Sequence, residues 1–338
     1  KCLETLRYSE GERPIVAQLY GKDPESFYVA AQVVCELGFD GLDINMGCPS
    51  KSVASSGSGA GLIRTPEVAR AIMQAAKRGI EDWAGGQTLE QAGLKPARIA
   101  MFERLNQQRG DTSPPTRRRL PLSVKTRIGY DSVTVEDWVE QLLLESPAVL
   151  SLHGRTLQQM YRGTAHWSAI ARAAALARGT TTLVLGNGDI QRLDDIAGRV
   201  CDTGVDGVLV GRGVLGAPWF FRAKERARIG VGGVRDPEVG SDVCARPLHE
   251  RFAVLVEHAR QFTQFFGAQQ FHRMRKHLGW YCKGFPHAAS LRAQMVRVSS
   301  VEELRALLAE FHDRPETITD LPQTESAEES SVLVSRCS

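Results

Sequence analysis

The chain has 338 residues, of which 42% are hydrophobic and 24% charged, and its formal net charge is +3 at pH 7. That length accommodates one large α/β domain and a smaller one, and the composition is ordinary for a soluble globular protein. Because no run of about 18 apolar residues and no basic-then-apolar leader is present, we expect neither a membrane span nor secretion. The seven cysteines form no Cys-x-x-Cys pair, which predicts reduced thiols in a cytoplasm and argues against zinc or a disulfide framework.

The charge is unevenly distributed near the C-terminus. Residues 245–297 carry nine Lys/Arg against two Asp/Glu, whereas residues 301–338 carry nine acidic residues against three basic ones. The first pattern suggests a polyanionic partner, and the second suggests a solvated or disordered end. Composition alone favours a solvated helix face for the basic run.

Six apolar segments alternate with helical ones from the N-terminus onward. The expected strands are Pro14–Tyr20, residues 41–45, Leu122–Thr126, Val149–Leu152, Thr182–Leu185 and Gly207–Val210. The expected helices run from Asp23 to Leu37, from Thr65 to about Lys77, over Val135–Leu144, Trp167–Ala177 and Leu193–Val200, and onward from Pro218–Glu225. Apolar strands between helices indicate a parallel sheet buried on both faces. Equivalent strand ends lie 24 to 34 residues apart outside one longer unit, which suits a TIM (β/α)8-type barrel and, less specifically, a doubly wound sheet.

Four segments stand outside this alternation. Residues 79–118, with a short helix near Ala97–Gln107 and three arginines at 117–119, are expected to be a surface insertion, partly disordered, whose arginines fit a solvated loop better than a nucleic-acid contact. We therefore divide the chain into a catalytic barrel (1–225), a linker (226–244), a small all-helical domain (245–313) and a disordered acidic tail (314–338). The helical domain contains Arg251–Phe266 and at least two more helices, around 270–282 and 301–311.

Each expected strand ends in polar residues or glycine, and in a barrel the carboxyl ends of the strands carry the chemistry. The residues are Gln18; Asn45 with Cys48; Lys125 with Arg127; His153 with Arg155; Asn187-Gly188-Asp189; and Gly211-Arg212-Gly213. The last two groups, one repeat apart, predict a phosphate site after strands seven and eight, with Arg212 pairing the phosphate oxygens. On that count the strand with Gln18 is the third, and the barrel lacks its first two strands.

Cys48 follows its strand directly and precedes a small-residue stretch, Ser52–Gly61. We expect an irregular loop that approaches a ligand closely and can move. An inert buried cysteine beside a flexible turn accounts equally well for this stretch taken alone.

Five motifs resemble, in order, those of the tRNA-dihydrouridine synthases: Asp43–Ser50, Val124–Gly129, Leu152–Thr156, Gly186–Ile190 and Val210–Gly213. Arg275–Pro286 and Leu291-Arg292 resemble the tRNA-binding helical domain of the same family. The resemblance covers about residues 14–297. This sequence differs from the family in two places. It carries the 79–118 insertion, and it shows no counterpart of the family's first two strands or of the Ala-Pro-Met segment that lies along the flavin.

The resemblance implies an FMN-dependent enzyme that reduces uridine in tRNA to 5,6-dihydrouridine. Hydride would pass from reduced FMN to C6 and a proton from Cys48 to C5, with NADPH re-reducing the flavin. It implies FMN contacts at Gln18, Lys125, His153, Asn187, Gly188, Asp189, Gly211 and Arg212. It implies contacts near the uracil at Asn45, Lys125 and Arg127, whereas the basic cluster with Arg275, Lys276 and Lys283 is the predicted tRNA surface. We expect no metal site, a monomer and a cytoplasmic location.

Two other functions remain open at this stage. One is a flavin barrel reductase of a small molecule, which the excess of positive charge over residues 245–297 disfavours. The other is a non-catalytic tRNA-binding protein with a degenerate barrel. The role of Arg155 is also open, between support of the active-site rim and contact with a tRNA phosphate.

Overall fold

The computed structural model describes residues 3–109, 115–192, 194–223 and 246–312. The chain divides into two compact units. The barrel unit comprises Lys1–Val214 and Trp219–Ser241, and the helical unit comprises Leu215–Pro218 and Asp242–Ser338. The predicted linker at 226–244 and the predicted tail at 314–338 lie outside the described residues, as do residues 110–114 of the predicted insertion.

Six parallel strands form the sheet of the barrel unit. They are β1 (Val16–Leu19), β2 (Gly41–Met46), β3 (Leu122–Arg127), β4 (Val149–His153), β5 (Leu183–Asn187) and β6 (Gly207–Leu209). Each pairs in parallel with the next in chain order. Sequential parallel strands joined through helices are the architecture of a TIM-type barrel, so the predicted fold class is confirmed.

The helices of this unit are α1 (Pro24–Glu36), α2 (Lys51–Ser55), α3 (Pro66–Ala84), α4 (Pro96–Arg109), α5 (Val135–Leu143), α6 (Trp167–Ala177) and α7 (Asp194–Thr203). The two ends of helix α1 show why its limits could be predicted from the sequence. The Asp23 side chain accepts the Ser26 N–H over 3.0 Å at its start, and Gly38 follows its end with φ of 73°. An N-cap acceptor and a left-handed glycine stop are the usual limits of a helix.

The two faces of the sheet differ in the side chains that they bury. Alternate residues on one face are almost fully buried against the helices: Ala17, Leu42, Ile44, Val124, Leu150, Leu152 and Val184. On the opposite face Val16 and Leu183 are each 50% exposed. That face also carries the buried polar side chains of Asp43, Arg127, Ser151 and His153, each at most 9% exposed, which the period of two places together across neighbouring strands. The second face is therefore buried largely through polar side chains, and its two most exposed apolar residues lie at the starts of β1 and β5.

Helix α3 continues to Ala84, beyond the predicted end near Lys77, because its apolar stripe continues. Ile80 and Trp83 are 3% and 1% exposed. Gly79 allows α3 to lie directly on α1, since a Cβ there would be 2.3 Å from the Tyr28 carbonyl oxygen. Helix α4 is likewise longer than predicted, and its Phe102 is 4% exposed within the core.

Two arginines of the insertion donate hydrogen bonds to backbone carbonyls at the C-terminal ends of α1 and α3. The side chain of Arg109 is 4% exposed and donates to the Leu37 carbonyl at the end of α1. Arg117 donates to the carbonyls of Trp83 (2.7 Å) and Gln87 (3.0 Å) after α3 and lies 4.4 Å from the Trp83 ring centroid. Arg117 lies in an exposed segment without helix or strand, as expected, and its cation also interacts with a helix C-terminus.

The segment after Cys48 is more regular than predicted. It contains α2 and then a 3₁₀ helix over Gly59–Arg64, of which Gly59–Ile63 are buried. The irregular loop expected there was wrong, because Leu62 and Ile63 insert into the core and draw the chain inward. Gly61 permits the close approach, since a Cβ on it would lie 2.6 Å from the Ala54 carbonyl oxygen. The helix expected from Pro218 onward is a 3₁₀ helix over Pro218–Ala223.

The helical unit contains α8 (Leu248–Phe266), a 3₁₀ helix (Ala268–Arg273), α9 (Arg275–Tyr281), α10 (Ala288–Met295) and α11 (Val301–His312). Its core consists of nearly inaccessible side chains, including Leu255, Ala259, Phe271, Leu278, Leu291 and Leu304. The predicted apolar stripe of α8 is buried at Phe252, whereas Phe266 at its end is 38% exposed. Within the described ranges, none of the helices combines the length and apolarity that crossing a bilayer requires.

Candidate active site

Strand register brings the predicted residues to one edge of the barrel unit. Asn45 pairs with Lys125, Arg127 with His153, and His153 with Asn187. Lys125 Nζ lies 3.5 Å from Asn187 Oδ1, and Asn187 Nδ2 donates to the Leu209 carbonyl over 2.8 Å. The carboxyl ends of β2 to β6 therefore share one polar surface, as the sequence predicts.

The turn that carries Cys48 is held by Asn45. Oδ1 of Asn45 accepts the N–H groups of Gly47 (3.0 Å) and Cys48 (2.9 Å), and its Nδ2 donates to Gln18 Oε1 over 2.8 Å. Cys48 itself is half-buried. An Asn that accepts two backbone N–H groups is a turn-forming side chain. Asn45 thus fixes the backbone of the turn, and among the described residues its Nδ2 has one acceptor, Gln18 Oε1.

Arg127 joins two loops rather than projecting freely. Only 3% of it is exposed, and its guanidinium donates to the carbonyls of Gly47 (2.8 Å), Thr156 (3.0 Å) and Met160 (3.3 Å). The donors in these bonds are Nε and Nη1, and the contact of Arg127 with the uracil stays a prediction. Arg127 positions the Cys48 turn against the loop after β4.

Arg155, whose role the sequence left open, forms a buried ion pair. It is 2% exposed, and its Nη2 donates to both carboxylate oxygens of Asp189 (2.9 and 2.7 Å) and to the Gly163 carbonyl (2.5 Å). Asp189 Oδ2 also accepts the Ala165 N–H over 2.8 Å. The Asp189 carboxylate is therefore committed to the protein, and any contact of this residue with a phosphate would come from its backbone.

The electrostatics follow from burying several cations together. Burial, with the charges of Arg127, Lys125 and Arg155, lowers the pKa of His153 to about 3, so this ring is neutral at pH 7. Burial and Arg127 also lower the pKa of Lys125, an effect that Asp43 opposes. Burial raises the pKa of Asp43, while hydrogen bonds from Ser123 and Gln18 act against that rise. The polar face thus concentrates positive charge around a neutral imidazole.

The ends of β5 and β6 offer an open backbone and a cation. Gly188 has φ of 134°, and a Cβ on it would lie 2.6 Å from Ala165 Cβ. Around Gly211, no heavy atom of the described residues lies within 4 Å of the position a Cβ would take. Arg212 is exposed, with its Nη2 3.3 Å from Asp189 Oδ1. Open glycine backbone beside an Arg is a donor set that fits a phosphate group.

The three predicted tRNA contacts of the helical unit differ in availability. Arg275 Nε donates to the Val298 carbonyl over 2.9 Å, and Lys283 Nζ donates to the Leu215 carbonyl over 3.0 Å. Both side chains are half-buried, whereas Lys276 is exposed. Arg275 and Lys283 therefore stabilise this unit, which leaves Lys276 as the freer cation. In the part of the chain that the structure describes, no cluster of three His, Cys, Asp or Glu side chains is arranged to hold a metal.

Two residues at the site escaped the sequence analysis. Asp43 and Ser123 lie side by side on β2 and β3, where Ser123 Oγ donates to Asp43 Oδ1 over 2.6 Å. Their signal was present, because a polar residue in the middle of an apolar strand requires a partner. Each lies two residues before Asn45 or Lys125 in its strand, on the same face of the sheet and farther from the carboxyl edge.

The fold and the side chains at its carboxyl edge define an α/β-barrel enzyme. The model of the Dihydrouridine synthase (Dus) family matches residues 2–82 and 116–316. The residues it leaves out, 83–115, fall within the predicted insertion.

Relatives agree with this match over 90% of the chain. The chain is 30% identical to the probable tRNA-dihydrouridine synthase 1 of Synechocystis sp., covering 72% of that protein. It is 32% identical to the probable tRNA-dihydrouridine synthase of Staphylococcus aureus, covering 77%, and 33% identical to the probable tRNA-dihydrouridine synthase 2 of Bacillus subtilis, covering 78%. The chain therefore belongs to the dihydrouridine synthase family and is an oxidoreductase.

Proposed function

We propose that this enzyme reduces uridine in tRNA to 5,6-dihydrouridine, with Cys48 as the proton donor. The observation that carries the proposal is the placement of Cys48: a half-buried cysteine whose backbone N–H is held by Asn45 at the mouth of β2, on the edge that also holds Lys125. Family membership supports the same reaction. A small-molecule reductase and a non-catalytic binding protein have no observation in their favour.

FMN is the cofactor that the residues at this edge fit. Gln18, Lys125, His153 and Asn187 would surround the flavin ring, and the backbone of Gly188, Asp189 and Gly211 with the Arg212 cation would hold its phosphate. The unobstructed backbone at Gly211 supports this assignment, as does the Arg212 guanidinium, which can donate to phosphate oxygens. Bound FMN supplies the hydride that adds to C6 of the uracil, and NADPH restores its reduced form. The Lys125 cation stabilises negative charge beside the ring.

The role of Cys48 follows from balancing the reaction. Hydride addition at C6 leaves the electron pair of the former double bond at C5, and a proton must arrive there from an acid within about 3–3.5 Å. Transfer from the Cys48 thiol leaves a thiolate, which solvent reprotonates. Asn45, whose Nδ2 has one acceptor among the described residues, is placed to orient the uracil edge.

Cys48→Ala tests the proposal against Cys201→Ala, a matched change at an exposed thiol of α7. In single-turnover oxidation of pre-reduced enzyme by tRNA, we expect Cys48→Ala to slow uridine reduction by about 10²–10⁴-fold, the usual contribution of a general acid. Flavin content, tRNA affinity and reduction of the flavin by NADPH should be unchanged in both variants. An unchanged rate in Cys48→Ala would remove the thiol from the reaction.

Contact between the helical unit and tRNA is tested at its exposed cation. Lys276→Glu should weaken tRNA binding and lower the slope of log affinity against log salt by about one, because each neutralised phosphate contributes about one to that slope. Lys95→Glu makes the same charge change at another exposed lysine, just before α4, and should leave the slope as it is. Equal slopes for the two variants would restrict the helical unit to a structural role.

A further inference from the structure

A continuous series of hydrogen bonds joins a buried carboxylate of β2 to the backbone of Cys48. Asp43 is 8% exposed; its Oδ2 accepts from Gln18 Nε2 over 2.7 Å. Gln18 Oε1 accepts from Asn45 Nδ2 over 2.8 Å, and Asn45 Oδ1 accepts from the Cys48 N–H over 2.9 Å. All three distances lie in the normal range for hydrogen bonds. Register makes this series possible, because Gln18 and Asp43 are neighbours across β1 and β2.

The direction of this series is set at its buried end. A side-chain amide keeps its shape when it turns by 180°, but its donor and acceptor exchange places. An ionised carboxylate can only accept, so Asp43 requires the NH₂ group of Gln18 to face it. The oxygen of Gln18 then faces Asn45, and the oxygen of Asn45 faces the backbone N–H of Cys48. Turning either amide would oppose two donors or two acceptors within the series.

Two hydrogen bonds and one nearby cation stabilise the ionised form of Asp43 against its burial, which raises its pKa. Besides Gln18, Ser123 Oγ donates to Asp43 Oδ1 over 2.6 Å. The charge of Lys125 acts in the same direction on the pKa of Asp43, although burial opposes it. A carboxylate with two donors and a nearby cation is an anchor whose orientation is fully determined.

We propose that Asp43 is a positioning residue: acting through the amides of Gln18 and Asn45, it sets the location of the Cys48 thiol at the carboxyl edge. Asp43 lies two residues before Asn45 on the same face of β2, beneath the carboxyl edge. This inference deepens the proposed function by naming what holds its proton donor in place. It rests on that function only for the catalytic consequence, because the position of the thiol can be measured without turnover.

Four variants test whether the direction of the hydrogen bonds in the series controls the position of Cys48. Asp43→Ala removes the anchor. Asp43→Asn preserves the direction, because the Ser123 hydroxyl can turn to accept from the new amide while the amide oxygen still faces Gln18. Gln18→Glu places an acceptor opposite Asp43 and breaks the series. The double variant Asp43→Asn with Gln18→Glu restores it, since the introduced asparagine donates to the introduced glutamate, whose other oxygen accepts from Asn45.

The main readout is alkylation of Cys48 by iodoacetamide in the folded full-length protein, quantified by peptide mass spectrometry, with exposed Cys201 as the reference within each molecule. Asp43→Ala and Gln18→Glu should raise the ratio of Cys48 to Cys201 alkylation by about three- to tenfold, the change expected when a closed turn loses one hydrogen bond. Asp43→Asn and the double variant should match the wild-type ratio. In single-turnover assays Asp43→Ala and Gln18→Glu should also slow uridine reduction by about 10–100-fold, because a displaced thiol donates its proton poorly.

The outcomes separate this inference from its alternatives. If Asp43→Asn perturbs Cys48 as strongly as Asp43→Ala, or if the double variant is no better than Gln18→Glu alone, the proposed positioning role is wrong. Should Asp43→Ala fail to fold, the comparison of Gln18→Glu with the double variant still decides. Flavin content is measured for all four, since Gln18 is also a proposed flavin contact. Failure of the wild-type protein to reduce tRNA would refute the proposed function and leave the alkylation result intact.

Discussion

Acidification should destabilise the barrel unit through one side chain, His153. Its pKa is lowered from the ordinary 6.5 to about 3 by burial and by the cations Arg127, Lys125 and Arg155. Between these two values the unfolded chain binds a proton at this residue and the folded chain does not. The stability contributed by the neutral ring is therefore fully present above pH 6.5 and is lost as the pH falls toward 3.

The size of the effect follows from the interval of pH. Each pH unit between the folded and unfolded pKa values changes the free energy of unfolding by about 1.4 kcal/mol. From pH 6.5 to pH 5 the loss is about 2 kcal/mol. No large discount for solvent screening applies, because His153 is 9% exposed.

His153→Gln removes the titrating group and keeps an acceptor near Arg155 Nη1, which lies 3.5 Å from His153 Nε2. Urea unfolding of wild type and variant at pH 7 and pH 5 gives four free energies. We expect the drop from pH 7 to pH 5 to be about 2 kcal/mol smaller in the variant, since carboxylates that titrate in both proteins cancel in the comparison.

His166→Gln is the matched control, because that side chain lies in the same unit and is exposed to solvent in the folded state. This variant measures what the change from histidine to glutamine does by itself in urea unfolding at pH 7. Equal drops for His153→Gln and the wild-type protein would refute the reasoning, because they would mean that the ring is as easily protonated in the folded protein as in the unfolded chain.

Three further predictions concern packing and ion pairs. Arg155→Met leaves the Asp189 carboxylate with the Ala165 N–H and the exposed Arg212 cation and should cost about 2–4 kcal/mol of unfolding free energy, below the full value for a buried pair because Asp189 is 29% exposed. Arg172→Met, which breaks the exposed pair with Glu136, should cost under about 1 kcal/mol, so equal costs would contradict this account. Gly61→Ala should cost about 1–3 kcal/mol through the 2.6 Å approach to the Ala54 carbonyl. Gly198→Ala, in α7 with no described heavy atom within 4 Å of the new Cβ, should stabilise by about 0.4–1 kcal/mol, and a loss there would show that helix packing is misread. Asp23→Ala should lower the thermal midpoint because it removes the cap of α1; an unchanged thermal midpoint would mean that the cap contributes nothing.

Local signals in the sequence predicted the local structure. The Asp23-Pro24 start of α1 and the strand that leads into Cys48 were predicted to within a residue or two, because caps and period-two alternation act over a few residues. The end of α3 was missed, since its last turns are stabilised by packing with residues far along the chain. The polar contacts on the second face of the sheet were missed for a related reason: apolar runs do not reveal that their alternate positions meet polar partners on neighbouring strands.

The site was predicted as a set of positions and not as a set of contacts. Strand ends located Asn45, Lys125 and His153, because parallel strands bring their carboxyl ends together whatever the details. The use of Arg127 on three backbone carbonyls could not be read from the sequence, since those carbonyls belong to loops 80, 29 and 33 residues away. The same holds for Asp43, whose importance depends on which way two amides face.

The arginines of the insertion bear on how this protein could be shortened. Residues 83–115 have no counterpart in the family model, and an engineer would take them as removable. Excision would delete Trp83 and Leu89 from the core and the cation of Arg109 from the Leu37 carbonyl. Helices α1 and α3 therefore depend on this added segment for part of their packing and hydrogen bonding. A minimal version of this enzyme would have to be redesigned at α1 and α3 rather than trimmed.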